Sequence, residues 1–218
     1  MIRIAIDGPG GAGKSTIAKM VAEKMNMEYI DTGAMYRAIG WLFSKESVDT
    51  ENEEAVRKVL DETTMDFEDN HVILNGQDIS GEIRTPEISK AASICSKLPA
   101  VRSKLVALQR GIAEGKSVVM DGRDIGTNVL PNAELKIFLT ADPMVRAKRR
   151  YDQLVEAGKE ADLDSICEDI KERDYQDTHR ELNPLKQAED AVLLDTSDMT
   201  IEEVLHQIMT MAEEKDEQ

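Results

Sequence analysis

Gly8-Pro9-Gly10-Gly11-Ala12-Gly13-Lys14-Ser15 meets every fixed position of the phosphate-binding pattern G-x-x-x-x-G-K-[ST]. Before it, residues 2–7 read as a short buried strand, and from Thr16 to Met25 apolar residues recur at helical spacing. Strand, glycine turn and helix in that order supply a mechanism. The glycines allow a tight turn whose successive N–H groups can surround a phosphate, and the positive N-terminus of the helix points at the same spot. Lys14 can reach the β- and γ-phosphates, and the Ser15 hydroxyl can ligate Mg²⁺. Gly8, Pro9, Gly10, Gly11, Ala12, Gly13, Lys14, Ser15 and Thr16 are therefore expected to hold a nucleoside triphosphate.

Working outward, further apolar runs at 27–30, 117–121, 135–140 and 191–195 read as strands, with helical patterns between or after most of them. That alternation predicts an α/β fold, a doubly wound parallel sheet of five strands flanked by helices, with ligands at the carboxyl ends of the strands. The rhythm breaks between residues 31 and 115. There, residues 65–67 and 72–74 flank a hairpin turn at 68–71, Asn75-Gly76 is a second turn signal, and 77–79 adds a short third strand. Thr85-Pro86-Glu87 opens a helix, and another is expected from 99 to 114. This stretch reads as an inserted subdomain where a second substrate could sit. Residues 212–218 read as a frayed, solvated tail.

The chain has 218 residues, 41% hydrophobic, 32% charged and only 4% aromatic, so an aliphatic core with eleven methionines as fillers is expected. A net charge of −16 argues against general binding to nucleic acid or to an anionic membrane. No apolar run approaches the ~20 residues that a membrane span needs. Cys95 and Cys167 are far apart, without a metal-like pattern around His71, His179 or His206, so free thiols in a reducing cytoplasm are expected rather than a zinc site. The chain begins directly on its first strand, leaving no room for a signal peptide. A monomer is the default expectation, because no long apolar seam shows.

Because the ligand of such a loop is an anion, arginines that cluster against the overall charge are informative. In Asp31-Thr32-Gly33-Ala34-Met35-Tyr36-Arg37, Thr32 can cap a helix and Arg37 can meet a phosphate, or the stretch is simply a capped helix with a solvated arginine. Asp121 ends an apolar strand and suits a role beside Mg²⁺, with Arg123 and Asp124 on the following turn; a turn held by an Asp–Arg pair is the alternative. Arg146, Lys148, Arg149 and Arg150 are more cations than nearby acids can neutralise, which reads as a lid element or as a solvated basic face. Ala157-Gly158-Lys159 would be the turn of that lid. Arg173, Asp177 and Arg180, at i, i+4 and i+7, would share one helix face, either for recognition or as a surface ion pair.

Together AIDGPGGAGKST, DTGAMYR, DGRDIGT, KIFLTAD, RAKRR and KERDYQD resemble the bacterial cytidylate kinases of the nucleoside monophosphate kinase group, from Ile2 to about Met209. The resemblance implies a P-loop NTPase core, a monophosphate-binding subdomain over 31–115 with a small antiparallel sheet near 63–84, and a helical lid over 146–180. It implies phosphoryl transfer from ATP, with Mg²⁺, to CMP and dCMP. Carried over by position, Lys14, Arg123, Arg146 and Arg150 would be catalytic, and Ser15 and Asp121 would serve the metal. Ser93, Arg102 and Asp124 would read the cytosine. Thr32, Arg37, Arg123 and Arg180 would surround the acceptor phosphate, and Arg173 and Asp177 would face the sugar. Thr32 departs from the serine common in the family but keeps the hydroxyl. Other readings are a kinase for a different small molecule, a GTP-dependent switch, for which the N-K-x-D motif is missing, and a non-catalytic ATP module.

Overall fold

The computed structural model describes residues 1–68 and 71–216. In chain order the elements are β1 (Arg3–Asp7), α1 (Lys14–Met25), β2 (Glu28–Asp31), α2 (Thr32–Lys45), α3 (Glu53–Glu62), β3 (Met65–Glu68), β4 (His71–Leu74), β5 (Gln77–Asp78), α4 (Pro86–Cys95) and α5 (Pro99–Ala113). There follow β6 (Val118–Gly122), a single π-helical turn (Ile125–Val129), β7 (Leu135–Thr140), α6 (Pro143–Glu156), α7 (Leu163–His179), β8 (Val192–Asp195) and α8 (Ile201–Asp216). The chain divides into two compact units, Met1–Tyr29 with Gly115–Gln218, and Ile30–Glu114.

The first unit is built on a five-stranded parallel sheet of order β2-β6-β1-β7-β8. β1 lies at its centre and runs parallel to both β6 and β7, with Asp7 opposite Gly122 on one side and Phe138 on the other. The apolar runs of β1 and β6 are almost wholly buried, as strands covered on both faces must be. Edge strand β8 is mostly exposed. Ile4, Ile6, Ile17, Val21, Val119, Ile137, Leu205 and Ile208 form the centre of an aliphatic core, with Met20, Met25, Met27, Met199, Met209 and Met211 packed around it. The flexible thioethers fill the irregular gaps that the scarcity of aromatic rings leaves. Ala212 is fully buried in this core and α8 runs on to Asp216, so the expected solvated tail is instead the last turns of a packed helix. Residues 217 and 218 lie outside the described residues.

The second unit has its own core, in which Ala34, Ala38 and Leu42 of α2 meet Val72, Leu74, Ile79 and Ile83. Its antiparallel sheet, order β3-β4-β5, joins β4 to β5 through Asn75 (φ 51°) and Gly76 (φ 77°). Two consecutive positive φ angles are what a two-residue hairpin turn requires, and Asn-Gly is the pair that tolerates them best. The hairpin of β3 and β4 pairs Met65 with Leu74 and Phe67 with Val72; of the turn expected at 68–71, residues 69 and 70 lie outside the described residues. α4 starts as expected, with Thr85 Oγ1 accepting from Ile88 N at 3.3 Å and Pro86 in the first turn. α3, unforeseen in the sequence, is capped by the Asn52 side chain, which accepts from Ala55 N.

No helix among the described residues is long and apolar enough to cross a membrane. Both cysteines are free and buried, and burial pushes the Cys95 thiol up to about 12.

Candidate functional site

At the carboxyl end of the five-stranded sheet, β1 gives way to the glycine loop. A side chain on Gly8 would run into the Leu139 carbonyl of the neighbouring strand, so the loop starts pressed against the sheet. Gly13 (φ 93°) turns the chain into α1 in the left-handed region, and no side chain among the described residues caps the helix. The first amides of α1 are thus left for an external acceptor, which a helix N-terminus favours when it is anionic. Lys14 lies folded back over the loop, its Nζ donating to Pro9 O at 2.8 Å. Burial, helped by the nearby Arg123 charge, pushes its pKa down to about 7 against the pull of Asp121, Asp7 and Asp177.

Ser15 Oγ donates to Asp121 Oδ2 at 2.8 Å, and Tyr29 Oη donates to Asp121 Oδ1 at 2.9 Å. Asp121 is the fourth residue of β6, so strand geometry delivers its carboxylate to the start of α1. Just beyond it, Arg123 Nε donates to Asp177 Oδ2 at 2.8 Å. Burial alone would raise the Asp177 pKa, but Arg123, with Arg173 and Arg180, outweighs it and holds the carboxyl below its ordinary value. Arg180 Nη2 donates to Asp124 Oδ1 at 3.0 Å, in a pair whose side chains are 5% and 7% exposed. A Cβ on Gly10 would lie 3.5 Å from Arg123 Nη2 and 3.8 Å from Arg173 Cδ, which brings both arginines up to the phosphate loop.

The basic cluster of α6 disperses around the helix. Arg146 is buried; its Nε donates to Ala141 O, its Nη1 to Gly10 O at 2.9 Å, and both Nη atoms to Asp174 of α7. Lys148 pairs with Asp152, Arg149 donates to Thr196 O, and Arg150 is exposed. Carboxylates engage two of the four cations, Arg146 through Asp174 and Lys148 through Asp152. The turn after α6 falls where expected: Gly158 (φ 70°) follows Ala157, and Lys159 N donates back to Leu154 O.

Two sequence expectations need correction. Arg180 does not continue the α7 face of Arg173 and Asp177. The helix stops at His179, Arg180 is extended (φ −64°, ψ 143°), and its Nε donates to Asn183 O. Leaving the helix is what frees the guanidinium to meet Asp124. In the second unit Thr32 does not cap α2; Asp31 does, accepting from Ala34 N at 2.8 Å while its other oxygen takes Arg37 Nη2 at 2.9 Å. Thr32 is buried at the first helical position. Arg37 Nε is buried and finds no acceptor among the described residues. Ser93 sits on α4, and Arg102, on α5, is buried with its guanidinium 5.8 Å from the centre of the Tyr36 ring.

A family model for cytidylate kinase matches residues 4–214. The chain belongs to the cytidylate kinase family. The cytidylate kinase of Lactobacillus johnsonii is 48% identical over 219 residues, covering 99% of this chain and 95% of that relative. The cytidylate kinase of Caldicellulosiruptor saccharolyticus is 49% identical over 214 residues, with 96% and 95% covered. Among solved structures, shikimate kinase from Bacteroides thetaiotaomicron shares the fold with a TM-score of 0.51 at 16% identity, with 97% of this chain and 98% of that one covered.

Four residues of this cytidylate kinase family member escaped the sequence reading. Tyr29 orients Asp121, Asp174 engages Arg146, Asp31 sets Arg37, and Asp7 accepts from the amides of Ile125 and Gly126 at 2.8 and 2.7 Å. Asp7 and Asp31 each stand at the end of an apolar strand, the same signal that singled out Asp121. Tyr29 and Asp174 carry no such signal, since their partners are remote in sequence.

Proposed function

We propose that this protein transfers the γ-phosphoryl group of ATP to CMP and dCMP, giving ADP and CDP or dCDP. The observation that carries the reading is the cluster at the carboxyl end of β1 and β6: Lys14, Ser15, Asp121, Arg123, Asp124, Asp177 and Arg180 gathered beside an open helix N-terminus. The loop amides from Gly8 to Thr16 and Lys14 hold the triphosphate. A metal ion suits Ser15 Oγ and Asp121: both are oxygen donors, 2.8 Å apart, and no group of three or more His, Cys, Asp or Glu among the described residues forms a full cage. That donor set fits Mg²⁺, which keeps waters and phosphate oxygens as its other ligands. When bound, Mg²⁺ neutralises part of the charge on the ATP phosphates.

The acceptor is itself a phosphate, so no strong base is needed. A CMP phosphate oxygen attacks the γ-phosphorus, and the bond from that phosphorus to the β–γ bridging oxygen breaks to release ADP. The protein's work is alignment and charge neutralisation. Arg123 and Arg180 meet phosphate, Asp177 and Arg173 the sugar, and Asp124 the base. Within the second unit, taken by itself, Thr32 and Arg37, whose Nε is buried with no acceptor among the described residues, suit a phosphate, and Ser93 and Arg102 suit a polar base. Arg146, already on the Gly10 carbonyl, and the exposed Arg150 stabilise the moving phosphoryl group. The enzyme acts in the cytoplasm as a monomer.

The test is ADP production from ATP and Mg²⁺ with CMP, dCMP, UMP, AMP, GMP and dTMP supplied separately. Strong turnover with CMP and dCMP alone supports the reading. Broad specificity, or turnover only with a metabolite alcohol, overturns it.

A further inference from the structure

Residues 123 and 124 form a two-residue arch between β6 and the π-helical turn. At its near end, Gly122 lies opposite Asp7 in the parallel register of β6 with β1. At its far end, the Asp7 carboxylate accepts from Ile125 N at 2.8 Å and from Gly126 N at 2.7 Å. One residue therefore pins both ends of the arch, by its backbone position and by its side chain. We propose that Asp7 is a positioning residue that sets Arg123 and Asp124 for the nucleoside monophosphate.

The chemistry of the position supports this. Two consecutive amides converge on one side chain, and only a carboxylate offers an oxygen to each. An asparagine presents a single acceptor, and its NH₂ would face the second amide donor to donor. Space is equally constrained, since a Cβ on Gly126 would lie 3.4 Å from Asp7 Oδ2 and 3.1 Å from Lys136 Cδ. Lys136 does not neutralise the carboxylate, because its ammonium donates to Pro131 O and Asp190. Lys14 favours the charge while Asp124 opposes it, and burial raises the pKa to about 6. A buried acid held against its own solvation preference is a poor stabiliser of the fold, yet its geometry is suited to fixing a loop. The arch is held further by the amides of Asn128 and Val129, which donate to Asp124 O, and by side chains: Arg123 by Asp177, Asp124 by Arg180 and Asn128.

This inference rests on the assignment of Arg123 and Asp124 to the monophosphate. Calorimetric titrations of CMP and, separately, of ATP into the wild type and Asp7→Asn test it, together with thermal melting of both proteins. Loss of one charge-assisted hydrogen bond at the arch is expected to weaken CMP about tenfold while ATP affinity changes by less than about twofold. Equal losses for both nucleotides, or unchanged CMP affinity, would overturn the positioning role, since damage that is merely structural lowers both affinities along with the melting temperature. If Asp7→Asn does not fold, Asp7→Ser, which keeps one acceptor, is read in the same way. Failure of the wild type to bind CMP at all would instead sink the substrate assignment, and this inference with it.

Discussion

The carboxyl end of the five-stranded sheet and the three-stranded sheet of β3, β4 and β5 use the same kinds of polar residue to opposite ends. In the first, Arg180 and Asp124 are 5% and 7% exposed, and Arg146 gives its donors to Ala141, Gly10 and Asp174. In the second, the pair His71 and Asp78 is 56% and 48% exposed. Buried pairs cannot lose one member cheaply, because the partner's charge is left unsolvated. Exposed pairs fall back on water. A charged pair in this molecule therefore tells of function through its burial, not its composition.

The sharpest way to break this contrast is at Lys14. Lys14→Ala is expected to lower kcat on the order of a thousandfold, as removal of a preorganised transition-state charge does, with the melting temperature preserved or raised. A fall of less than tenfold in steady-state assays would place phosphate stabilisation elsewhere.

Next in size is the cost of burying Asp7. Its carboxyl is raised from 3.8 to about 6 in the fold. Below the lower value the group is protonated whether folded or not; between the two only the native state keeps the proton. Its contribution to stability is thus present in acid and lost as pH rises through about 6, on the order of 3 kcal/mol. Urea melts of wild type and Asp7→Asn at a series of pH values isolate that slope as their difference. A constant difference across the window would contradict the burial of an ionised carboxylate.

Asp124→Ala should raise KM for CMP at least tenfold and leave KM for ATP within about twofold, since it strands Arg180 where the monophosphate is read. An unchanged CMP constant removes Asp124 from the base site. At the small end, Gly76→Ala forces a Cβ into φ 77° and should cost about 1 kcal/mol in thermal melts with kcat for saturating substrates unaltered. A collapse of kcat there would erase the distinction between the two sheets.

The same contrast governs what could be read beforehand. The phosphate loop, the strands that frame it and the Asn-Gly hairpin were legible because each rests on a local rule: glycine conformations, apolar runs, positive φ. Arg180 was misplaced because nothing in its own spacing ends the helix; the signal lies downstream, in Asn183-Pro184. Asp31 and Thr32 are adjacent residues that can both cap, and the choice falls to Asp31 because its second oxygen also reaches Arg37. Ala212 looked solvated amid glutamates, although Val204, Leu205 and Ile208 already carry the period that buries it. Tyr29 and Asp174 act through partners 92 and 28 residues away. No local pattern reports such a bond.

The buried state of Cys95 and Cys167 has a practical consequence for watching this enzyme work. With both native sulfurs shielded, and the Cys95 thiol pushed up to about 12, a cysteine introduced on an exposed face would be the preferred target of a maleimide dye. A single such dye could be attached beside the phosphate loop in the otherwise unaltered sequence, so that its fluorescence reports nucleotide binding molecule by molecule.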